Sequence, residues 1–143
     1  MAGPDLDQTI EEYHLALGKL VKGDAGPATA MYSHRDDVSL ANPFGPVTVG
    51  WKSVTETAGL AAARYREGEV TGFEQVAKHV TGNLACIVEV ERYKAKIGGK
   101  DNITPVGLRV TSLFRLEDGV WKLVHRHADP IASIQPTDSV IEK

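Results

Sequence analysis

The apolar pattern of this chain changes period near its midpoint, and that change restricts the folds open to it more than any other feature. In the first half, apolar residues recur at helical spacing. Ile10, Tyr13, Leu17, Leu20 and Val21 stripe a helix over 5–22, with Asp5 and Gln8 at capping-box spacing and Gly23 as its stop. A short helix is predicted over 24–32, with Ala28 and Met31 on its apolar side. A third is predicted over 51–67, striped by Trp51, Val54, Ala58, Ala61 and Tyr65. Between them, residues 36–50 read as two short extended pieces around a Pro/Gly turn. From there on, 69–81, 84–97, 106–117 and 120–129 read as long strands. Helices first and a meander afterwards imply an α+β fold, with the helices on one face of a strongly curved, mostly antiparallel sheet.

The last hairpin fixes an expected register. Asp118-Gly119 between two β-rich runs is a strong two-residue turn signal. Glu117 then pairs with Val120, and side chains alternate between faces from there. One face carries Leu108, Val110, Ser112, Phe114 and Leu116 opposite Trp121, Leu123, His125, His127 and Asp129. It is bulky and apolar near the turn and polar at its far end, as the mouth of a pocket would be. Arg109, Arg126 and Ala128 fall on the opposite face, toward solvent or a second subunit.

Composition narrows the function classes. Apolar and charged fractions of 42% and 24% are those of an ordinary globular domain. A net charge of −3 gives no basic footprint for nucleic acid. The lone cysteine, Cys86, excludes an internal disulfide and a multi-cysteine zinc site, and its apolar neighbours predict a buried, inert thiol. The acidic first residues do not read as a secretory signal, and no apolar run has the length of a membrane span. A soluble, cytoplasmic protein without membrane or nucleic-acid partners is therefore expected. It is expected to be one domain over 1–143, with a core at about 8–130 and extended or flexible ends at 1–4 and 131–143.

Four segments carry a family resemblance: GD at 23–24, DDVSLANPFG at 36–45, ACIVEVE at 85–91 and EDGVWKLVHRHAD at 117–129. In this order and spacing the chain resembles the nuclear transport factor 2-like superfamily, in its SnoaL-like branch. The last two segments are also similar to the association domain of calcium/calmodulin-dependent protein kinase II. The resemblance implies a cone-shaped α+β barrel of cystatin-like fold, open at one end, and a homodimer packed through the outer face of the sheet. It does not imply one activity, since the superfamily holds isomerases, dehydratases, cyclases, epoxide hydrolases and assembly domains.

These residues fit each family chemistry only in part. The ketosteroid isomerase pattern puts a carboxylate base where this chain has Asn42, and an amide takes up no proton at neutral pH. Its oxyanion-binding tyrosine falls on Ala16, with Tyr13 one turn away. In the limonene epoxide hydrolase pattern, Asn42 and Asp129 fit, but the arginine position holds Glu89, the second aspartate position Glu91 and the tyrosine position Leu40. The SnoaL-type acid/base pair matches Asp129 with His125 or His127. The pocket arginines of the kinase association domain are replaced by Glu91, Ser112 and Ala128, so a neutral or cationic ligand is expected.

These matches define the expected site. Asp129, His127 and His125 are the candidate catalytic groups, and Asn42, Phe44, Glu89, Glu91, Ser112 and Tyr13 the candidate substrate contacts. Clustered carboxylates and imidazoles in a cavity would suit general acid/base catalysis on a small, largely apolar molecule, of isomerase, dehydratase, cyclase or hydrolase type. A non-catalytic ligand-binding or association module is the alternative. A one-residue slip of the strand would turn Val88 and Val90 inward in place of Glu89 and Glu91. His125 and His127 could equally serve as structural hydrogen-bonding groups. His125, His127 and Asp129 alternate along one strand, about 7 Å apart, too far for consecutive side chains to share one ion. No metal and no cofactor is expected.

Overall fold

In the computed structural model, residues 5–143 are described. The expectation for residues 1–4 lies outside them. Helix α1 (Leu6–Leu20) is capped by the Asp5 carboxylate, which accepts from the Asp7 amide, and buries Thr9, Ile10, Tyr13, Ala16 and Leu17. Helix α2 (Gly26–Ala30) is short. Strands β1 (Ser39–Ala41) and β2 (Thr48–Val49) flank the predicted turn. Helix α3 (Trp51–Ala62) is followed by β3 (Tyr65–Thr81), β4 (Leu84–Ile97), β5 (Thr104–Glu117) and β6 (Val120–Asp129). Residues 131–143 are all exposed and hold one 3-10 turn at Thr137–Val140.

The sheet runs β2-β1-β6-β5-β4-β3, antiparallel except where β1 joins β6 in parallel. This is the expected α+β architecture. Three register shifts lie between β3 and β4, and one between β5 and β6. Each inserts a residue on one side, bends the strand and increases its twist, which is how the sheet curves. The helices pack into the concave face around Tyr13, Leu17, Val38, Leu40, Val54, Ile87, Phe114 and Leu123. The ring of Tyr13 meets Phe114 edge-on at 5.5 Å.

The predicted turn forms, with Glu117 paired to Val120. Asp118 and Gly119 both have positive φ, 50° and 78°, the conformation a two-residue hairpin of this type requires. The end of α3 and the start of β3 differ most from expectation. Helix α3 stops at Ala62, so Tyr65 begins a strand instead of completing the helical stripe. Its backbone pairs with Ile97, and its ring lies against Phe44 at 5.9 Å. Long-range pairing outweighs a local 3.6-residue pattern here. Cys86 is half-buried on the outer face rather than buried, because even-numbered residues of β4 point outward.

Candidate functional site

The strand β4 has the parity that the acid-bearing reading required. Glu89 and Glu91 are 2% and 0% exposed, while Val88 and Val90 lie half-buried on the outer face. Strand β6 starts in the expected register and then departs from it. Leu123 pairs with Phe114, but His125 pairs with Leu113, so Val124 is an extra residue in β6. Leu123 and Val124 are consecutive buried residues, the mark of a bulge. Beyond it the faces exchange. Arg126 and Ala128 turn into the cavity, and His125, His127 and Asp129 turn away from it. This corrects the expected placement of all three candidate catalytic groups, and of Arg126 and Ala128 as outer-face residues.

The displaced groups have other partners. The Asp129 carboxylate accepts from Arg109 Nε at 2.7 Å and from the Ile131 amide at 3.1 Å. Burial raises its pKa, but Arg109 and that amide outweigh burial and hold it below the ordinary value. His127 Nε2 lies 3.5 Å from Asp129 and is largely exposed. His125 Nδ1 meets Ser39 Oγ at 2.7 Å. Burial, then His127, push its pKa down. Glu117, on the same outer side, is pushed up by burial and pulled down by more through Arg115, Ser33 and Arg35.

These shifts set an acid limit. A group whose folded pKa is depressed contributes stability above its unfolded value and loses it as pH falls through the folded one. His125 therefore starts to cost stability below about pH 6.5, and Glu117 and Asp129 below about pH 4.3. The expected result is a Tm that declines below about pH 6.5 and more steeply below about pH 4, with the upper limb flattened in His125→Gln. Thermal melts at a series of pH values would show it, and a Tm that rises on acidification would refute the assignment.

Inside the sheet a polar cluster replaces the expected one. Arg126 grips Glu91 in a two-pronged pair, Nη1 to Oε2 and Nη2 to Oε1, both at 2.7 Å. Arg126 Nη1 also donates to the Tyr13 hydroxyl, which lies 2.7 Å from Ser112 Oγ. The Tyr93 hydroxyl donates to Glu91. Burial disfavours the charge on Arg126, but Glu91 and Tyr13 more than compensate and raise its pKa well above the ordinary value. Burial pushes Tyr13 up to about 12. Burial also raises Tyr32, Tyr65 and Tyr93, so every phenol here is neutral at physiological pH and can donate a hydrogen bond.

A cavity of about 40 Å³ opens beside this cluster, lined by Tyr13, Tyr32, Tyr65, Asn42, Phe44, Arg126, Ala128 and the aliphatic side chains of α1, α3 and β1. The expected contacts Tyr13, Asn42 and Phe44 are on its wall. Ser112 and Glu91 sit behind Tyr13 and Arg126. Glu89 is elsewhere, bonded through both oxygens to His14 Nε2 at 3.0 and 2.8 Å. The Asn42 carbonyl oxygen is occupied by the Phe44 amide at 2.9 Å, so its amide nitrogen is the group left for a ligand. The Tyr32 hydroxyl is the one buried side-chain polar atom without a partner among the described residues.

The family model for the SnoaL-like domain matches residues 6–133. This chain belongs to the SnoaL-like domain family. No curated protein matches it in sequence. Its fold is similar to that of a ketosteroid isomerase-like protein from Erwinia carotovora atroseptica, with 17% identity over 90% of this chain and 95% of that one and a TM-score of 0.74. It is similar to a protein named as a dehydratase from the nuclear transport factor 2-like family of Streptomyces avermitilis, with 22% identity, coverage of 90% and 94% and a TM-score of 0.69. It is also similar to a protein named for the calcium/calmodulin-dependent protein kinase type II association domain from Thiobacillus denitrificans, with 16% identity, coverage of 92% and 98% and a TM-score of 0.70. Small-molecule binding is known in this family. Among the described residues, no helix of this SnoaL-like domain is long and apolar enough to cross a membrane.

Sequence reading missed Arg126, His14, Tyr32 and Tyr65 as site residues. A usable signal was the tyrosine set. The chain has four tyrosines, and all four are 5% exposed or less.

Proposed function

We propose that this SnoaL-like domain, taking residues 1–143 as one unit, binds a small, largely apolar molecule through a carbonyl or hydroxyl oxygen and polarises that oxygen for acid/base chemistry. Tyr32 and Tyr13 are its donors, with the Arg126 charge fixed behind Tyr13. The observation that carries this reading is the unpartnered hydroxyl of Tyr32, a residue that lines a largely apolar cavity. A buried hydroxyl without a partner costs about 1–3 kcal/mol, and a ligand oxygen relieves it. The isomerase-like and dehydratase names of the similar structures agree with chemistry at such an oxygen. No role in the cavity is proposed for Asp129, His127 or His125.

Cyclohexanone and cyclohexane test the binding. The ketone is expected to bind tighter, and Tyr32→Phe to lose about ten-fold in ketone affinity by NMR titration, the value of one hydrogen bond. Because the hydroxyl has no partner in the protein, the same variant should melt no lower than the parent. Unchanged ketone affinity in Tyr32→Phe would sink the reading. Exchange of the ketone α-protons in D2O separates enzyme from binding module. A polarising site accelerates it, and Tyr13→Phe slows it, whereas a module leaves the solvent rate unchanged. The module reading draws on one observation: the two buried carboxylates of β4, Glu89 and Glu91, are already held by His14 and Arg126.

The outer face of the sheet supports a homodimer. Cys86, Val88 and Val90 of β4 form a half-buried apolar row on this face, and among the described residues no helix covers it. Sedimentation should give a dimer at micromolar concentration and a monomer for Val90→Glu.

A further inference from the structure

Phe44 divides two compartments. On its inner side is the cavity of about 40 Å³, and on its outer side a surface depression of about 210 Å³. Asn42, Phe44 and Ala61 belong to both, so a single layer of side chains separates them. The outer depression is lined by uncharged groups and by Arg64, its only ionisable side chain. Among the described residues Arg64 forms no ion pair and no side-chain hydrogen bond. Its guanidinium rests over the Phe44 ring, 4.7 Å from the centroid. Every other arginine of the chain, Arg35, Arg66, Arg92, Arg109, Arg115 and Arg126, has a carboxylate within ion-pair distance.

We infer that the depression is an outer subsite for the carboxylate of the ligand, with Arg64 as its counter-ion and Phe44 as the partition that the ligand's body displaces. The substrate class is then a small oxo- or hydroxy-carboxylic acid with an apolar body, not the neutral or cationic ligand expected from positions 91, 112 and 128, because Arg64 lies outside that set of positions. Its oxygen-bearing end enters the cavity and its carboxylate stays at the mouth. The two ends have different requirements. The inner cavity does not suit the anion, because Arg126, only 12% exposed, is already neutralised by the fully buried Glu91, and a second carboxylate would face the same buried negative charge. The outer site can, because an exposed arginine offers its fork to a carboxylate without a large desolvation cost. Moving Phe44 is inexpensive in packing terms, since its ring is only half-buried and contacts Tyr65 by an edge.

This inference rests on the reading that the cavity takes the oxygen-bearing end, and the test keeps the two apart. Cyclohexanone and 4-oxocyclohexanecarboxylate share the ketone and ring and differ in the carboxylate. The acid is expected to bind about two- to five-fold tighter, the worth of one exposed ion pair. The advantage should shrink between 20 mM and 500 mM salt. The ratio of the two affinities should fall to about one in Arg64→Gln and be retained in Arg64→Lys. If the ketone binds and the acid has no advantage, or the advantage survives Arg64→Gln, the outer subsite is overturned and the cavity reading stands. If neither probe binds, both are overturned.

Discussion

Arg126→Met is expected to destabilise the protein by about 3–5 kcal/mol, because it strands Glu91 as an uncompensated charge in the interior. Glu91 is 0% exposed, and the Arg126 side chain only 12%. Without the guanidinium, Glu91 keeps the Tyr93 hydroxyl as its remaining donor, and Tyr13 keeps Ser112. The double variant Arg126→Met with Glu91→Leu removes both charges together. It should recover most of the loss, since an apolar pair of similar volume often replaces a buried ion pair at little cost. Urea denaturation followed by circular dichroism gives both numbers. A single variant that loses less than about 1 kcal/mol would mean that the pair is solvated and that Arg126 does not face the cavity.

Gly68→Ala is the second large effect, and it has a purely steric origin. Gly68 lies where β3 crosses the end of α1, and its amide donates to the Val21 carbonyl at 3.0 Å. A Cβ on Gly68 would stand 2.1 Å from that same oxygen and 2.7 Å from the Val21 carbonyl carbon. These are main-chain atoms held by the helix terminus, so the strand must lift off α1. That breaks the Gly68–Val21 bond and disturbs the Lys22 ammonium, which donates to the Gly68 carbonyl at 2.8 Å. A loss of about 4 kcal/mol or more is expected, seen as a Tm lower by about 10 °C or more. Gly72 in the same strand is the control. A Cβ there meets nothing within 4 Å, so Gly72→Ala should shift stability by no more than about 1 kcal/mol. Equal effects at the two positions would refute the close approach.

The fold was legible from local signals. The helical stripe of α1, the Asp118-Gly119 turn and the alternation along β4 each depend on neighbours within a few residues. Glu89 and Glu91 faced inward as alternation required, and the rival register with Val88 and Val90 inside did not occur. The site was less legible, because its composition depends on one residue that alternation cannot reveal. Val124 is apolar and β-branched, and nothing in its type marks it as unpaired. With strict alternation after Gly119, the imidazoles and Asp129 face the cavity. With one bulge, Arg126 does. The arginine missing at position 89, when the chain is matched to an epoxide hydrolase, is supplied to Glu91 from a different strand. His14 escaped notice for a similar reason. It flanks the apolar stripe of α1, and its partner Glu89 lies on β4, 75 residues away in sequence.

The bulge also changes how sequences of this family should be aligned at their last strand. Removing one residue between Gly119 and Asp129 would leave the hairpin turn and the helical layer as they are, yet exchange the arginine of the interior for two imidazoles and a carboxylate. A gap of a single position, which alignment treats as a minor event, there changes which polar groups line the cavity. Two homologues with identical residue types in this stretch but different strand lengths would be expected to accept different ligands.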